Sequence, residues 1–544
     1  MTAGHLFVVK ADVTTIDCDA WLCPTDRGFS ITEGFAAALG MPGSGTMRGH
    51  RWGPQRRVIP FHWGEQSKPL IFLGDVGRLR PENPEEVELL ITELLPVVDE
   101  FVDSAIARFG PALDRPARLA LPLIGTGHGG LSGAKGTVIE PLVCRLSHLA
   151  ADRGADLVLC TDDQLAWSAV QSVRKDTEWD LSPCEYEWAA SLAAEARAGR
   201  LVLFIGAGVS RDAGLPSWHG LLTDLHPEGL SESESRQLDG LDFRDHATLI
   251  EMKLGGRKQL IARLIEIIGR YKRIGLTHAL LASLGAEQAV TTNYDNLFER
   301  ACTKRGHSVE EDLTVLPYGR VVENRPWLLK LHGTLDRVED QDHVVLTRID
   351  YMNMARDRSA LFGIVQAMLV TKYLLFVGYS LTDEDFHQLV DEIRIAIAPS
   401  DTSKSLGSVL MTEDWPLAKI WQDLLEDHQI GLNQNGDRNR HLQIFLDRVA
   451  NLATPHDVHL LDESFKGLLT ADEHRIADRL RGVQGLVDDI LLQSPEQKTA
   501  SAVRDLLERF GATPRPRQAN GKLEAQAHER HQSDRCQERK GVTQ

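Results

Sequence analysis

The feature that most constrains the fold is a run of five apolar residues that leads directly into a glycine turn. Residues 201–210 read LVLFIGAGVS, which predicts a buried strand, a Gly-x-Gly turn and a new helix. Gly206 and Gly208 lack side chains, so the backbone can turn sharply there and approach a pyrophosphate at the start of the helix. The dinucleotide fingerprint needs a third glycine where this chain has Arg211. A tight strand-to-helix turn without a ligand therefore remains open as an alternative.

Two stretches of the chain alternate short apolar runs with amphipathic helical patterns, as layered α/β domains do. A polar, proline-containing bridge after residue 175 separates them, and a run from His343 to Leu346 is among the strands predicted in the second stretch. The charged segment from Pro227 to Tyr271 has a helical pattern that is typical of a lobe inserted on a parallel sheet. The pattern predicts four regions: α/β domains at 1–175 and 185–452, a helical region at 453–513 and a disordered tail at 514–544.

The overall composition is that of an ordinary soluble protein with sizeable cores. Apolar residues make up 42% of the 544 residues and charged residues 25%. The formal net charge of −18 disfavours sequence-independent binding to the phosphate backbone of nucleic acids, so no direct nucleic-acid binding is expected. No apolar stretch approaches the roughly 20 residues that span a bilayer, and the start MTAGHLFVVK lacks the apolar core of a signal peptide. We therefore expect a cytoplasmic protein without a membrane partner.

Four sequence blocks resemble the sirtuin family and occur in the family's order. The turn continues as RDAGLPSW at 211–218, which resembles the sirtuin loop Gly-Ala-Gly-x-Ser followed by Gly-Ile-Pro. TTNYD at 291–295 resembles Thr-Gln-Asn-x-Asp, LHG at 331–333 resembles the catalytic Leu-His-Gly, and FVGYS at 376–380 resembles the late Gly-x-Ser ribose loop. The resemblance covers roughly half the chain. It implies a Rossmann-like, NAD-binding catalytic domain.

The resemblance assigns catalytic roles to Asn293, His332 and Asp295. Loss of nicotinamide turns ribose C1′ into an oxocarbenium-like centre, and Asn293 is suited to hold water or the ribose hydroxyls beneath it. A base with a pKa near neutrality should take the proton, and histidine is the residue type with that property. Asp295 is expected to hold the carboxamide or orient the loop. The residues expected to bind NAD are Gly206, Ala207, Gly208, Ser210, Gly214, Pro216, Trp218, Thr292, Gly378 and Ser380.

The chain departs from protein-deacylating sirtuins in its cysteines. Those enzymes hold a zinc module with four cysteines between the catalytic histidine and the late glycine loop. This chain has no cysteine from 303 to 535, so no zinc and no other metal is expected, and deacylation is put in doubt. The variant motif set resembles the sirtuin-like domains of bacterial anti-phage defence systems, which deplete NAD.

The first 175 residues contain a second motif, LPLIGTGHGG at 121–130, between a predicted strand and a predicted helix. It resembles the phosphate-binding loop of macro domains, which bind ADP-ribose, and it places Gly125, Thr126 and Gly127 at the ligand. Asp12 matches the family's acid that contacts adenine. Macro hydrolases have Asn-Ala-Ala-Asn where this chain has CPTD at 23–26, which favours binding over hydrolysis. A purely structural glycine turn is the alternative.

The sequence thus predicts an α/β protein with a macro-like mixed-sheet domain, a Rossmann-like sirtuin domain with a helical insertion, and a helical or disordered C-terminal tail. NAD is the expected substrate, and its hydrolysis to nicotinamide and ADP-ribose the expected reaction. An ADP-ribose-like nucleotide is the expected regulator, and a homo-oligomer or an assembly with a partner defence protein is also expected. The alternatives are an ADP-ribosyltransferase or deacylase, and a non-catalytic NAD- or ADP-ribose-binding module in a larger assembly. Intact Asn293 and His332 argue against the last of these.

Overall fold

A computed structural model describes most of the chain between residues 3 and 513. The exceptions are residues 42, 48, 49, 54, 62–68, 78–80, 110–112, 114, 128, 338–340, 342, 382–386, 388, 389, 394, 396–404, 414–419, 423 and 433–436. The predicted disordered tail at 514–544 lies outside the described residues. Residues 1–457 together with 464–468 form one compact unit, and residues 458–463 together with those from 469 onward form another.

The first sheet of the larger unit is mixed and has six strands in the order β1-β8-β7-β2-β6-β5. The strands are β1 Leu6–Val9, β2 Ala20–Thr25, β5 Val58–Phe61, β6 Leu70–Asp75, β7 Arg118–Pro122 and β8 Asp156–Cys160. Strand β5 pairs antiparallel with β6, and the other pairs are parallel. The short strands β3 Ser30–Ile31 and β4 Gly45–Thr46 pair separately. The accompanying helices are Glu33–Ala36, Pro84–Phe109, Lys135–Arg153 and Gln164–Val173, with 3-10 turns at Val13–Thr15 and Ala37–Leu39.

The second sheet is parallel and has seven strands in the order β11-β12-β10-β9-β13-β14-β15. They are β9 Leu201–Ile205, β10 Gln288–Thr291, β11 Thr314–Leu316, β12 Trp327–Lys330, β13 Tyr373–Val377, β14 Gly407–Met411 and β15 Leu425–Gln429. The central strands are continuous apolar runs because helices cover both faces of a parallel sheet. The helices are Pro183–Arg197, Ala207–Ser210, Trp218–Asp224, Glu232–Asp239, Phe243–Leu254, Arg257–Ile268, Leu276–Ser283, Leu297–Cys302, Val309–Asp312, Arg348–Asp357, Ser359–Thr371 and Arg438–Ala453, with a 3-10 turn at Arg211–Ala213. The predicted α/β class is confirmed.

The predicted helical lobe is present, but one predicted strand beside it is wrong. Three helices lie between residues 232 and 268, and two of them, Phe243–Leu254 and Arg257–Ile268, share an apolar core with the helix Trp218–Asp224. Val344 and Leu346, predicted to lie in a strand, are buried in that same core and pair with no sheet. Packing against the lobe, rather than pairing in a sheet, therefore buries this apolar run.

The two sheets of the larger unit share one continuous apolar core. It includes residues of β1 and β8 as well as residues of β9 and of the helix Leu276–Ser283. The backbone after β1 also joins the second stretch directly, since Ile16 forms a parallel bridge with Ile274. The division of the chain at about residue 175 thus separates two sheets, and domain boundaries at 1–175 and 185–452 stay a prediction.

The second compact unit is helical. It contains the helices Ala471–Gln493 and Lys498–Glu508. Thr470 caps the first of them by accepting from the backbone N–H of Glu473, whose carboxylate accepts in return from Thr470. Among the described residues of both units, no helix has the length and apolarity that crossing a membrane requires.

Candidate active site

The predicted site residues follow strands that end at one level of the parallel sheet. Ile205 of β9 is in register with Thr291 of β10 and Val377 of β13, and Thr291 is in register with Lys330 of β12. The carboxyl ends of these four strands therefore lie along one edge. Strands β10 and β13 lie on opposite sides of β9, which makes this a topological switch point, where ligands bind in open parallel sheets.

The glycines of two motifs bring two loops into direct backbone contact. The N–H of Gly206 donates to the carbonyl of Val377 at 2.9 Å, and the N–H of Gly208 donates to the carbonyl of Gly378 at 2.9 Å. A Cβ atom on Gly206 would lie 2.3 Å from the Gly378 oxygen. The missing side chains thus have a structural reason, the close approach of the two loops. Binding of NAD by these glycines stays a prediction.

Asn293, Ser210 and Asp295 are brought together by hydrogen bonds. The Asn293 amide nitrogen donates to the Ser210 hydroxyl at 3.1 Å and to the carbonyl of Gly206 at 3.2 Å. The Ser210 hydroxyl donates to a carboxylate oxygen of Asp295 at 2.9 Å. The second Asp295 oxygen accepts from the N–H of Leu297 at 3.0 Å. Three residues from two separate motifs therefore form one polar cluster at the edge of the sheet.

The amide oxygen of Asn293 is the open acceptor of this cluster. Asn293 is 8% exposed, and its Oδ1 atom is buried and receives no hydrogen bond from any residue that the structure describes. A buried acceptor without a donor is costly in free energy, so such atoms in folded proteins call for a partner. A hydroxyl group of a ribose or a water molecule has the donor that this oxygen lacks.

His332 follows β12 at the same edge of the sheet. The N–H of the preceding Leu331 donates to the carbonyl of Thr291 at 2.9 Å, which fixes the level of His332 beside the β10 loop. The side chain is 3% exposed, and its ring meets the ring of Tyr351 edge to face at 5.5 Å. The carbonyl of His332 accepts from Val345 at 3.0 Å. The histidine is thus held between the sheet and the segment that borders the helical lobe.

Four other predicted NAD-binding residues lie around the glycine turn. Ala207 opens the short helix after Gly206, and Gly214 ends the next turn in the left-handed region at φ +88°. Pro216 is half-buried. Trp218 begins a helix, and its ring lies 5.8 Å from the rings of Tyr294 and Phe243. Trp218 therefore packs against the lobe in this structure.

The last two predicted NAD-binding residues follow the strands on either side of β9. Thr292 is half-buried directly after β10. Ser380 is exposed two residues after Gly378, whose φ of +63° is the left-handed conformation that favours glycine. Both residues therefore lie at the candidate edge.

His278, which belongs to none of the sequence motifs, lies beside the cluster. Its Nε2 atom is 3.3 Å from the Ser210 hydroxyl, and the residue is 1% exposed. Burial lowers the pKa of His278, although the carboxylates of Asp295 and Asp212 act in the opposite direction. The signal in the sequence is a polar pair, Thr277 and His278, directly before the apolar run ALLA of the helix Leu276–Ser283.

Asp212, which is not among the predicted site residues, connects this region to the first sheet. Its carboxylate accepts from the N–H of Thr277 at 3.0 Å and from the guanidinium of Arg118, at the start of β7, at 3.1 Å. Burial alone would raise the pKa of Asp212, but Arg118 and Thr277 outweigh it and leave that pKa below its ordinary value. A charged contact thus joins the two sheets next to the candidate site.

A buried ion pair supports the turn that carries Asp295. The Lys330 ammonium is fully buried, donates to the carbonyl of Asp295 at 2.6 Å, and lies 2.7 Å from the Glu299 carboxylate. Burial raises the pKa of Glu299 despite the nearby lysine. No pattern in the sequence indicated this pair, since a lysine at the end of an apolar strand is ordinarily exposed.

The predicted macro-like residues lie at the carboxyl edge of the first sheet. Asp12 follows β1, and its carboxylate accepts from Arg305 of the second stretch at 2.8 Å. Gly125 is left-handed at φ +82°, and the Thr126 hydroxyl donates to the carbonyl of Leu123 at 2.9 Å. Gly127 is exposed, and among the residues that the structure describes none has an atom within 4 Å of an added Cβ atom. The loop is therefore open at Gly127, whereas Asp12 is already paired.

One group of residues in the helical lobe has the composition of a metal site. Ligand atoms of His226, Asp239 and His246 lie within 4.8 Å of one another. The two histidine Nε2 atoms are 2.8 Å apart, which is the distance of a hydrogen bond between one protonated and one unprotonated ring nitrogen. This hydrogen bond accounts for the contact. The expected absence of zinc stays a prediction.

Comparison with known proteins agrees with the motifs of the second sheet. Residues 287–429 match the SIR2-like domain family. The chain is 29% identical over 203 residues to defense-associated sirtuin 2 of Bacillus subtilis, covering 36% of this chain and 20% of that protein. It is 32% identical over 202 residues to the NAD(+) hydrolase ThsA of Enterococcus faecium, covering 36% and 40%. With ThsA of Cytobacillus dafuensis the identity is 28% over 200 residues, covering 36% and 38%.

These relatives are matched over only part of their length. The chain spans between a fifth and two fifths of each of them. A solved structure of Sir2Tm bound to a propionylated peptide covers 47% of this chain and 96% of its own at 14% identity, with a TM-score of 0.23, which is too low to support an argument. The family match includes the Asn293, His332 and Gly378 blocks, and the predicted resemblance to sirtuin-like domains is thereby confirmed for residues 287–429.

Proposed function

We propose that this chain is an NAD hydrolase, which converts NAD and water to nicotinamide and ADP-ribose. One observation carries the proposal: the buried, open acceptor of Asn293 lies beside the Ser210–Asp295 hydrogen bond at the switch point of a parallel sheet. Relatives with 32% and 28% identity are named NAD(+) hydrolases, which supports the same activity.

The proposed reaction uses each residue of the cluster in a defined way. The bond between ribose C1′ and the nicotinamide nitrogen breaks, and its electron pair leaves with nicotinamide. The oxygen of a water molecule bonds to C1′, and His332 accepts the proton that this water loses. The Asn293 oxygen accepts from the water or from a ribose hydroxyl, while Ser210 and Asp295 hold the Asn293 side chain in place.

Hydrolysis is favoured over deacylation by the cysteine pattern. Four thiolates are needed for the zinc module that helps form an acyl-lysine groove in deacylating sirtuins, and this chain has no cysteine from 303 to 535. The purified chain should release nicotinamide from NAD at the same rate before and after dialysis against a strong chelator. Loss of the activity on dialysis, with recovery on adding zinc, would contradict the proposal and favour a zinc-dependent deacylase.

We propose that the biological role is bacterial anti-phage defence by depletion of NAD. The support is the name of the Bacillus subtilis relative, a defense-associated sirtuin. The test measures cellular NAD after phage infection in cells that carry the parent gene and in cells that carry the His332→Ala variant. NAD should fall only with the parent gene, and equal NAD levels in the two strains would contradict the role.

We also propose that the first sheet binds an ADP-ribose-like nucleotide that regulates the hydrolase. A ligand whose adenine takes the Asp12 carboxylate must compete with Arg305, which holds that carboxylate at 2.8 Å. Binding would thus exchange a contact between the two halves for a contact with the ligand. A ligand can shift an equilibrium only by such differential contacts.

The experiment for regulation is calorimetry of the full chain with ADP-ribose, paired with an assay of NAD cleavage. Gly127→Glu should abolish the heat of binding and the change in rate, because the carboxylate repels phosphate at the open loop. Gly363→Glu is the matched control, since Gly363 is exposed, is not in the left-handed conformation, and a Cβ atom there would meet no described atom within 4 Å. Binding by Gly127→Glu with the parent's affinity would contradict the assignment.

A further inference from the structure

An apolar stripe runs along one side of the helix Ala471–Gln493 in the second compact unit. Ile476, Val483, Leu486 and Ile490 are 53, 42, 62 and 36% exposed. Their spacing of seven, three and four residues places them on one face of the helix. The row extends over about 21 Å at 1.5 Å per residue. Single exposed apolar side chains are ordinary, but four of them in a row along one helix face are typical of an interaction surface.

The helix uses a different face for the core of its own unit. Ala477 and Val487 are 0 and 5% exposed, and Ala477 packs with Leu461 and Leu507. The buried positions therefore lie beside the stripe on the helix surface and do not include it. Packing of the two helices against each other thus leaves the stripe exposed to solvent. The stripe consists of Ile476, Val483, Leu486 and Ile490.

Residues 514–544 of the sequence contain no apolar row that would match the stripe. Residues 514–544 contain only two large apolar side chains, Leu523 and Val542, among charged and small polar residues. A partner that covers the stripe needs an apolar row of its own, and the helix Ala471–Gln493 of a second copy presents one.

The charges on the stripe favour a second copy in antiparallel orientation. Arg479 lies within the first half of the row and Asp489 beside its second half. In a parallel pair, the two Arg479 side chains would face each other inside the apolar seam. In an antiparallel pair centred on Val483, Ile476 faces Ile490, and residue 479 faces residue 487 of the second copy. The two arginines are then about 12 Å apart along the axis, each within one turn of the other copy's Asp489.

We propose that the stripe is a homodimer interface, in which the helix Ala471–Gln493 of one chain packs antiparallel on the same helix of a second copy. Such a contact is isologous, so each copy presents the same patch and the pair closes without open ends. Val483 lies at the two-fold axis. The proposal does not depend on the proposed hydrolase activity.

The first test is the mass of the full chain by analytical ultracentrifugation, compared with that of Val483→Glu. Because position 483 faces itself, the variant places two carboxylates together at the axis and should weaken self-association at least a hundredfold. Val370→Glu is the matched control, since Val370 is 58% exposed near the end of the helix Ser359–Thr371 and should keep the parent's mass. A monomeric parent at tens of micromolar, or a Val483→Glu variant with the parent's mass, would overturn the proposal.

The second test distinguishes the antiparallel pair from every other occupant. Arg479→Asp should weaken self-association about tenfold, because two arginine–aspartate contacts become two contacts between like charges. Adding Asp489→Arg to that variant should restore the parent's dissociation constant. A parallel pair, or a partner other than a second copy, predicts no restoration, and that result would overturn the proposal. Circular dichroism of each variant establishes that the helices remain folded.

Discussion

The hydroxyl of Ser210 serves three neighbours in the candidate site. A hydroxyl has one proton to donate, and the 2.9 Å contact gives it to the Asp295 carboxylate. Asn293 must then donate from its amide nitrogen, which leaves its oxygen as the open acceptor. His278 can join only by donating from Nε2, so its Nδ1 atom is unprotonated in the neutral ring that the lowered pKa favours. The serine thus fixes the orientation of the Asn293 amide.

Replacement of Asn293 or His332 by alanine is expected to abolish nicotinamide release while the chain remains folded. Loss of a positioned acid–base group such as His332 costs about 10² to 10⁴ in rate. Loss of Asn293 removes the buried acceptor for the water or the ribose hydroxyl. The rate of nicotinamide release from NAD is the measurement, with the melting temperature as the check on folding. His148→Ala, at an exposed position of the helix Lys135–Arg153, is the matched control and should keep the parent rate. If both site variants turn over NAD like the parent, the site is wrongly assigned.

Two loops, rather than one, form the glycine-rich part of the site. The turn after β9 and the loop after β13 are joined by backbone hydrogen bonds at Gly206 and Gly208. Position 378 in the second loop requires glycine for two reasons. Its φ of +63° is in the left-handed region, and a Cβ atom there would lie 2.5 Å from the backbone nitrogen of Val209. The loop after β13 therefore determines where the helix after β9 begins.

Gly378→Ala should consequently displace that helix and reduce nicotinamide release by at least tenfold. The left-handed conformation and the backbone contact together should also lower the free energy of unfolding by about 2 kcal/mol. Gly363→Ala is the control, because Gly363 is an exposed helical residue and no described atom lies within 4 Å of an added Cβ atom. That change should leave the rate unchanged and raise stability by up to about 1 kcal/mol. Equal rates for the parent and Gly378→Ala would show that the two loops tolerate separation.

The two sheets of the larger unit are joined through the helix Arg438–Ala453. Its Asp447 is fully buried and lies 2.6 Å from Arg174 and 2.9 Å from His5, both from the first stretch. On the other side, His441 of the same helix lies 3.0 Å from Glu185. The segment that the sequence assigned to the end of the second domain thus supplies buried polar contacts to both halves of the unit.

Asp447→Ala should destabilise the folded chain by about 3 to 5 kcal/mol, because it leaves the buried Arg174 charge without its carboxylate. Burial alone would raise the pKa of Asp447, but Arg174 and His5 outweigh it and hold that pKa below 3.8. The stabilisation is therefore present above about pH 4 and is lost as the pH falls through the folded-state pKa. Urea unfolding at pH 7 and at pH 3 measures both effects.

The control for this prediction is Asp472→Ala, which removes an ion pair with Arg475 whose two side chains are more than 80% exposed. Pairs of that kind contribute about 0 to 1 kcal/mol. A loss of stability in Asp447→Ala no larger than in Asp472→Ala would contradict the role assigned to the buried pair.

Sequence patterns alone determined the α/β class, the central strands and the helical lobe, because apolar periodicity and glycine turns are local properties of the chain. The order of the motifs along the chain also predicted that Asn293, Ser210 and Asp295 belong to one site. Only the tertiary structure placed His278 beneath Ser210, paired Asp12 with Arg305 and buried Lys330, since each contact joins residues distant in the chain. The run from His343 to Leu346 shows why local sequence patterns could not decide such contacts. Its local pattern indicates burial, but whether a sheet or a helical lobe buries it depends on packing.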